Sequence, residues 1–347
     1  MSESVSEPSF AVITGTQVRA VLEGDEQSVV SIIEGAYRLH GAGKTVNPPS
    51  YFLRFPDRPS DRIIALPASL GGNAAVNGIK WIASYPGNTA AGIPRASAVQ
   101  LLNDPETGYP LAVLEASVIS ATRTAASAAL AADQISRARN VWPKRIGFFG
   151  NGLIARYIHT YLERTGWQFD EIGLYDTDAR SLDGFQSYLE RSESPGTIVR
   201  HSNPRSIVEN SDMIVFATVA GVPHVSEPGW FGHAPLVLHI SLRDLSPAVV
   251  LRARNIVDDV DHCLKAGTSL HLAEQDIGDR HFVHGTLCQV LDKEVSLPAD
   301  QTVIFSPFGL GILDLAVAKH VYDYLTKEGN LRTVPGFFSD LNRFGDG

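Results

Sequence analysis

A glycine-rich turn between a strand and a helix constrains the fold of this chain more than any other feature. Residues Ile146–Ala155 form an apolar run that closes on Gly150-x-Gly152-x-x-Ala155. In such a turn the first glycine permits the sharp bend, the second lets the backbone approach a phosphate, and the third small residue lets the helix pack closely. The helix N-terminus offers unpaired N–H groups to negative charge. The pattern predicts a dinucleotide-binding βαβ unit, and the alternative is a glycine-rich turn in another α/β unit.

The next strand indicates which dinucleotide is bound. Glu171–Tyr175 is an apolar strand that ends on Asp176. An acid at this place suits a ribose 2′-OH and repels a 2′-phosphate, which favours NAD, although Arg180 nearby keeps NADP open. The expected cofactor contacts are Gly150, Asn151, Gly152, Leu153 and Ile154 at the pyrophosphate, Asp176 at the adenosine ribose and Thr218 at the nucleotide floor.

Composition excludes several classes of protein. The 347 residues carry a net charge of −9, which argues against a nucleic-acid or anionic-membrane partner. Two cysteines are too few for a disulfide framework, and no apolar stretch is long enough to cross a bilayer. The polar segment Met1–Ser9 lacks the order of a signal peptide. We therefore expect a cytoplasmic enzyme that acts on a small molecule.

The order of predicted elements indicates two domains. Before residue 141, Phe10–Ile13 and several strand-like runs separated by Pro/Gly turns predict a mainly antiparallel sheet with helices. From 141 to 304, strands and helices alternate, which predicts a doubly wound parallel sheet of the Rossmann type. Thr302–Ala318 is expected to return to the first domain. The fold class is thus α/β, with a NAD-binding domain over 126–304 and a discontinuous α+β substrate and dimerisation domain over 1–125 and 305–347.

The individual elements are predicted from periodicity and capping signals. The expected helices of the first part are one capped by Thr14, one over Asp25–His40 and one over Ala121–Ala138. The expected strands of that part are Tyr51–Phe55, Arg62–Leu66, Ile79–Ser84 and Leu111–Glu115. The later part is expected to hold a helix over Leu153–Leu162 and strands within Ser211–Thr218, Leu236–Leu242 and Asn255–Val260.

Three cations in the first domain are candidates for binding substrate carboxylates. Arg54 ends a strand-like run, Lys80 alternates with apolar residues, and Arg123 opens a predicted helix, where a cation is unfavourable unless an anion is near. Arginine suits carboxylates because its planar fork makes two hydrogen bonds. The alternative for each residue is a solvated or salt-bridged surface position.

An acid in the second domain is the candidate general base. Asp244 follows a predicted strand, at the edge of the sheet where ligands bind in such folds. The alternative is that Asp244 caps the turn before Ser246-Pro247. The histidines and cysteines between 262 and 288 lack metal-ligand spacing, so no metal is expected.

Taken together, these residues resemble the ornithine cyclodeaminase/μ-crystallin family. The resemblance rests on Arg54, Lys80, Arg123-Thr-Ala-Ala, Asp244 and the closing Phe305-Ser306-x-x-Gly309-x-x-x-x-Asp314, and it covers about residues 10–330. It implies an inserted Rossmann domain, NAD as cofactor, an amino-acid substrate and a homodimer.

One branch of the family, the diaminopropionate-biosynthesis dehydrogenases, is more similar still. The motifs that carry this likeness are Gly78-Ile-Lys-Trp-Ile82, Pro86-Gly-Asn88, Gly92–Ala98, Leu102–Pro110, Leu114-Glu-Ala-Ser117, Ile240-Ser-Leu-Arg-Asp-Leu245 and Asp258–Ala266. The likeness implies that NAD oxidises the secondary amine of N-(2-amino-2-carboxyethyl)-L-glutamate and that the imine is hydrolysed. The products are L-2,3-diaminopropionate, which enters siderophores or nonribosomal peptides in that branch, 2-oxoglutarate and NADH.

The resemblance also implies roles for the candidate residues. Arg54, Lys80 and Arg123 would bind carboxylates, Asp244 would accept the amine proton and activate water, and Lys80 would stabilise charge or donate a proton. The sequence departs from the cyclodeaminases, which carry Gly-Gly-Asp and then Pro-Gly-Lys where this chain has Leu-Arg-Asp-Leu-Ser-Pro. The alternatives are ornithine cyclodeaminase, alanine dehydrogenase or ketimine reductase activity, or a non-catalytic nucleotide-binding protein of the crystallin kind.

Overall fold

The computed structural model describes residues 8–192 and 196–338, in two compact units. The first unit comprises Ala42–Arg123 with the described parts of Met1–Asp25 and Leu310–Gly347. The second comprises Glu26–Gly41 and the described part of Thr124–Gly309. We expected that Met1–Ser9 is not a signal peptide, and the first seven positions of that segment lie outside the described residues.

The described residues contain fifteen strands, which form two sheets. In chain order the strands are β1 Ala11–Ile13, β2 Thr45–Val46, β3 Tyr51–Phe55, β4 Arg58–Leu70, β5 Val76–Ser84, β6 Ala96–Asn103, β7 Pro110–Glu115, β8 Arg145–Phe149, β9 Glu171–Tyr175, β10 Thr197–Arg200, β11 Met213–Phe216, β12 Leu236–His239, β13 Arg254–Val257, β14 Val283–Thr286 and β15 Val303–Ser306.

The same part of the chain contains eleven α-helices. In chain order they are α1 Gly15–Leu22, α2 Glu26–Gly41, α3 Ser117–Arg139, α4 Leu153–Arg164, α5 Ala179–Leu189, α6 Pro204–Glu209, α7 Pro247–Val250, α8 Val260–Cys263, α9 Ser269–Ile277, α10 Leu287–Leu291 and α11 Gly311–Lys327. Short 3₁₀ turns occur at Gly72–Ala74, Pro86–Ala91 and Pro228–Phe231. Among the described helices, none combines the length and the apolar character that crossing a bilayer requires.

The sheet of the first unit has the order β1-β7-β6-β5-β4-β2, with β3 also paired to β4. β1 runs parallel to β7, and the other pairs are antiparallel. Helix α11 packs on β4, β5 and β6, where a Cβ atom added at Gly311 would lie 3.1 Å from the Cβ of Ala68. The close approach of helix and sheet therefore leaves little room for a larger side chain at this position. Sequence periodicity did not predict β6, in which the buried Gln100 interrupts the apolar alternation.

The opposite face of this sheet carries exposed apolar side chains. Tyr51, Ala65, Trp81 and Val99 lie directly opposite one another across β3, β4, β5 and β6. Tyr51 is 68% exposed and Trp81 and Val99 are each 44% exposed. A contiguous apolar row of this kind is typical of an interaction surface.

The sheet of the second unit is parallel throughout, with the order β10-β9-β8-β11-β12-β15-β13-β14. From β8 the chain proceeds outward to β9 and β10 and then returns to β11 on the other side of β8. This reversal of strand order creates a crevice at the carboxyl ends of β8 and β11, where dinucleotides bind in folds of this type. The prediction of an α/β fold with a doubly wound parallel sheet is confirmed.

Helix α2 belongs with the second unit, whereas the domain limits predicted from the sequence placed it in the first. It contacts α4 and α10, and its Val29 and Ile33 are fully buried. The helix precedes most of the first unit in the sequence, so only the packing of its apolar face reveals where it belongs.

Candidate functional site

The glycine-rich turn joins β8 to α4 at the point where the order of strands reverses. Gly150 has a φ of +81°, and a Cβ atom there would lie 2.6 Å from the carbonyl oxygen of Ala217. Both the conformation and the space therefore require glycine. A Cβ atom at Gly152 would meet no described atom within 4 Å, so open space lies above the N-terminus of α4. The turn thus fits a pyrophosphate.

Asp176 lies at the end of β9, next to this turn. One carboxylate oxygen accepts a hydrogen bond from the backbone N–H of Asn151 at 2.7 Å, and the other accepts one from the N–H of Asp178 at 2.9 Å. Arg180 is almost fully exposed, and its Nε lies 3.5 Å from a carboxylate oxygen of Asp178. The acid predicted to bind the ribose is therefore fixed beside the phosphate-binding turn.

The other predicted cofactor contacts surround the same turn. Asn151 is buried, and its Nδ2 donates to the carbonyl oxygen of Phe148 at 3.3 Å. Leu153 is 61% exposed, and Ile154 is half-buried in the first turn of α4. Thr218 follows β11, and its hydroxyl donates to Asp244, so the threonine contacts the predicted catalytic acid directly.

Asp244 is fully buried and surrounded by hydrogen-bond donors. Its Oδ1 accepts from the hydroxyl of Thr218 at 2.5 Å and lies 3.0 Å from Nε2 of His224. Its Oδ2 accepts from the hydroxyl of Ser241 and lies 3.3 Å from Nε2 of His239. Thr218 and His224 lie after the end of β11, whereas His239 and Ser241 lie at and just after the end of β12.

This environment decides the protonation state of Asp244. Burial acts to raise the pKa of the carboxyl group, but hydrogen bonds from His224 and Ser241, together with the nearby ring of His239, outweigh burial and hold that pKa well below its usual range. The group is therefore an ionised carboxylate that gives little driving force for accepting a proton at neutral pH. Such a carboxylate is suited to orienting the imidazole that contacts it.

His224 is a candidate that sequence reasoning missed. Its side chain is 34% exposed, whereas that of its partner Asp244 is fully buried. The ring lies 6.2 Å from the ring of Phe149 and 6.4 Å from the ring of Phe216, measured between centroids. These phenylalanines end β8 and β11, so His224 lies at the crevice of the second unit. The signal for this role in the sequence is its place in loop 217–227, which follows the carboxyl end of β11.

A second cluster lies within the first unit. Nζ of Lys80 is 2.7 Å from Oδ2 of Asp314, and Nε of Arg123 is 3.3 Å from Oδ1 of the same carboxylate. The hydroxyl of Ser120 also accepts from Lys80 at 3.4 Å. Lys80 is 2% exposed and Asp314 is fully buried. Two cations therefore share one carboxylate, which leaves an excess of one positive charge.

The same surroundings change the acidity of Lys80. Burial lowers the pKa of its amine, Asp314 opposes that shift, and the charge of Arg123 adds to it, with the result that the pKa of Lys80 is about 8. A group with this pKa changes protonation close to physiological pH. Asp314 is part of the sequence motif of the closing helix, but the sequence analysis assigns it no role. An acid inside an otherwise apolar helix is nevertheless a signal for a buried partner.

Arg54 lies apart from the Lys80 cluster, on β3. Its guanidinium group is 5.0 Å from the ring centroid of Phe52, and its side chain is exposed. Among the described residues, no group of three or more His, Cys, Asp or Glu side chains has the arrangement of a metal site.

Comparison with known proteins adds the evolutionary relationship. A sequence model described as the ornithine cyclodeaminase/mu-crystallin family matches residues 12–329. The chain belongs to this family. A relative in Staphylococcus aureus, N-((2S)-2-amino-2-carboxyethyl)-L-glutamate dehydrogenase, is 30% identical over 85% of this chain and 89% of that protein. Alanine dehydrogenase of Archaeoglobus fulgidus is 29% identical over 90% of this chain and 94% of that protein.

A solved structure supports the same relationship. An archaeal alanine dehydrogenase dimer with bound NAD has a TM-score of 0.83 and 27% identity, covering 95% of this chain and 100% of that chain. The predictions of the family and of an oxidoreductase are confirmed. The sequence identities do not separate the two dehydrogenase activities of the relatives.

Proposed function

We propose that this member of the family oxidises N-(2-amino-2-carboxyethyl)-L-glutamate with NAD and hydrolyses the resulting imine. The products are L-2,3-diaminopropionate, 2-oxoglutarate and NADH, and the diaminopropionate supplies a siderophore or a nonribosomal peptide. The observation that carries the proposal is the cluster of Lys80 and Arg123 on Asp314, whose one positive charge in excess suits a substrate carboxylate. The relative in Staphylococcus aureus supports the choice of substrate.

The cofactor is NAD, as the sequence predicts. Structurally similar enzymes bind NAD, and the turn at Gly150 with Asp176 beside it fits that molecule. When bound, NAD accepts the hydride that leaves the Cα atom of the glutamate part. The negative charge of Asp176 disfavours a 2′-phosphate at the same place.

The residues of the first unit orient the substrate in this proposal. Arg123 and protonated Lys80 hold the α-carboxylate of the glutamate part, which fixes the direction of the adjacent C–H bond. Holding a reacting group in the productive orientation contributes as much as ~7–11 kcal/mol in favourable cases. Asp314 limits the surplus charge and keeps both cations in place.

Proton transfers accompany both steps of the reaction. Loss of hydride from the secondary amine requires an unprotonated nitrogen, and hydrolysis requires water to lose a proton and the leaving amine to gain one. We assign these transfers to His224, which Asp244 orients, and to Lys80. Asp244 remains essential in this assignment because it fixes the imidazole and not because it takes the proton itself. Such acid–base assistance typically contributes ~10²–10⁴-fold.

A homodimer is part of the proposal. The row of Tyr51, Ala65, Trp81 and Val99 forms an apolar face with three exposed side chains, and a second copy of this chain is the partner that we propose for it. The related archaeal alanine dehydrogenase is described as a dimer. Replacing Trp81 with Glu should yield monomers in analytical ultracentrifugation, and an unchanged dimer would contradict this assignment.

Alanine dehydrogenase activity is the second candidate. The Archaeoglobus fulgidus relative supports it, and alanine carries only one carboxylate, which the Lys80 and Arg123 pair is sufficient to bind. The two candidates therefore differ in the number of carboxylates that the site must hold.

One experiment separates these activities. Purified protein and NAD receive N-(2-amino-2-carboxyethyl)-L-glutamate, alanine or ornithine in parallel, and NADH absorbance and product masses are followed. NADH that appears in step with diaminopropionate and 2-oxoglutarate supports the proposal. Turnover of alanine alone, or ornithine cyclisation without net NADH, contradicts it.

A further inference from the structure

Three arginines lie together on one face of the sheet in the first unit. Arg54 on β3 is directly opposite Arg62 on β4, and Arg62 is directly opposite Ser84 on β5. Side chains of directly opposed residues share a face of the sheet. Nη1 of Arg95 donates to the hydroxyl of Ser84 at 3.2 Å, which brings a third guanidinium group to the same place.

These charges have no acidic partner within the part of the chain that the structure describes. No described Asp or Glu oxygen lies within 4.0 Å of Arg54, Arg62 or Arg95, and nearby Asp61 contacts Arg58 instead, at 3.9 Å. Burial, together with the charge of Arg62, lowers the pKa of Arg95. Like charges that face one another across strands are destabilising unless an anion joins them.

The arginines also share their face with Lys80. Lys80 and Ser84 are four residues apart on β5, so their side chains point to the same side of the sheet. At ~3.3–3.4 Å per residue, their Cα atoms are about 13 Å apart. Long side chains that lean toward each other span much of that distance. A molecule with two separated carboxylates therefore matches the spacing, whereas alanine reaches one end only.

We propose that Arg54, Arg62 and Arg95 form a second anion site that binds the distal carboxylate of a dicarboxylic substrate while Lys80 and Arg123 bind the proximal one. The inference rests on the proposed function, in which the distal group is the γ-carboxylate of the glutamate part. It adds Arg62 and Arg95 to the substrate-binding residues and makes this site the determinant that selects a dicarboxylate over alanine.

The test compares two keto acids that differ in the distal group. Calorimetry with the NADH-loaded protein measures binding of 2-oxoglutarate, which has two carboxylates, and of pyruvate, which has one. We expect Arg62→Gln and Arg95→Gln each to weaken 2-oxoglutarate binding about tenfold or more, as expected for loss of a charge-assisted hydrogen bond. Pyruvate binding and NADH affinity should stay unchanged.

Arg58→Gln is the matched control because Arg58 lies on the same strand but contacts Asp61 and the ring of Phe55. Its 2-oxoglutarate affinity should equal that of the wild type. Equal weakening of both keto acids, an equal effect of Arg58→Gln, or no effect of any variant would overturn the proposal. Wild-type protein that binds 2-oxoglutarate no more tightly than pyruvate would do so as well.

The result also distinguishes the two proposals. Arginine-dependent binding of 2-oxoglutarate without turnover of N-(2-amino-2-carboxyethyl)-L-glutamate would refute the proposed function and support the anion site. Turnover of that substrate with an unchanged KM in Arg62→Gln and Arg95→Gln would support the function and refute the site.

Discussion

Replacing Asp314 with Asn removes the carboxylate that Lys80 and Arg123 share. Asn has almost the same size, so the change is one of charge and not of volume. Lys80, which is 2% exposed, and Arg123, which is 14% exposed, then face each other without a counter-charge and with little contact with water. The buried site becomes electrostatically unfavourable in the folded state only.

The size of this effect follows from the burial of the ion pair. Removing one partner of a buried pair typically costs about 3–5 kcal/mol, because the remaining charge is left uncompensated. Deprotonation of Lys80 removes one of the two unpaired charges and so reduces this cost. Loss of Asp314 favours that deprotonation, because it lowers the pKa of Lys80 further below its present value of about 8. We therefore expect a loss near the lower end of that range at neutral pH.

Urea denaturation followed by circular dichroism measures the change in the free energy of unfolding. Asp323→Asn is the matched control, since Asp323 lies on the same helix and pairs with Lys319 but is 56% exposed. An exposed pair of this kind contributes about 0.3–0.5 kcal/mol. The double variant Asp314→Asn/Lys80→Met should recover much of the lost stability, because it leaves no unpaired lysine.

The pH dependence gives an independent check with a defined sign. The pKa of Lys80 in the folded protein lies below its ordinary value of 10.5, so the unfolded chain binds more protons and stability rises with pH above the folded pKa. In Asp314→Asn this rise begins at lower pH than in the wild type. The deficit of the variant should therefore shrink between pH 6 and pH 8. A deficit no larger than that of Asp323→Asn, or one that is independent of pH, would refute the reasoning.

The remaining predictions concern cofactor binding and catalysis. Gly150→Ala should lower both stability and NADH affinity because its new Cβ atom would lie 2.6 Å from a backbone carbonyl oxygen, whereas Gly152→Ala should keep its melting temperature and lose NADH affinity in fluorescence titration. Asp244→Asn should bind NADH normally and lose turnover, and His224→Gln should lose turnover to a similar extent in the NADH assay; normal turnover of either variant would contradict its role. Carboxylate binding and proton donation both need protonated Lys80, so kcat/KM should fall as pH rises through about 8, and this fall should be absent in Lys80→Arg, whose guanidinium stays charged.

Many strands, helices and turns of the second unit can be predicted from the sequence, because each depends on residues that are close together in the chain. The predicted strand Glu171–Tyr175 coincides with β9, and the helix predicted from Leu153 begins at that residue. The turn between β8 and α4 depends on the conformation of Gly150, which the residue type itself indicates. Parallel strands buried on both faces also appear as nearly continuous apolar runs.

Two features, strand β6 and the placement of helix α2, could not be predicted from local sequence patterns. Strand β6 was not predicted, because Gln100 is polar but fully buried within it. Helix α2 was predicted as an element, yet its membership in the second unit depends on which apolar surface its buried face contacts. Periodicity reports that a face is apolar and carries no information about the partner of that face.

The sequence by itself determined the dinucleotide-binding turn, the class of fold and the residue types available for chemistry. Only the tertiary structure decided which of those residues act together. It pairs Asp314 with Lys80, brings the ionised carboxylate of Asp244 into contact with His224, and sets Arg54 opposite Arg62 on the neighbouring strand. Turn geometry depends on residues a few positions apart, so a single sequence records it. Contacts between distant residues depend on strand order and register, which are set when the whole chain packs.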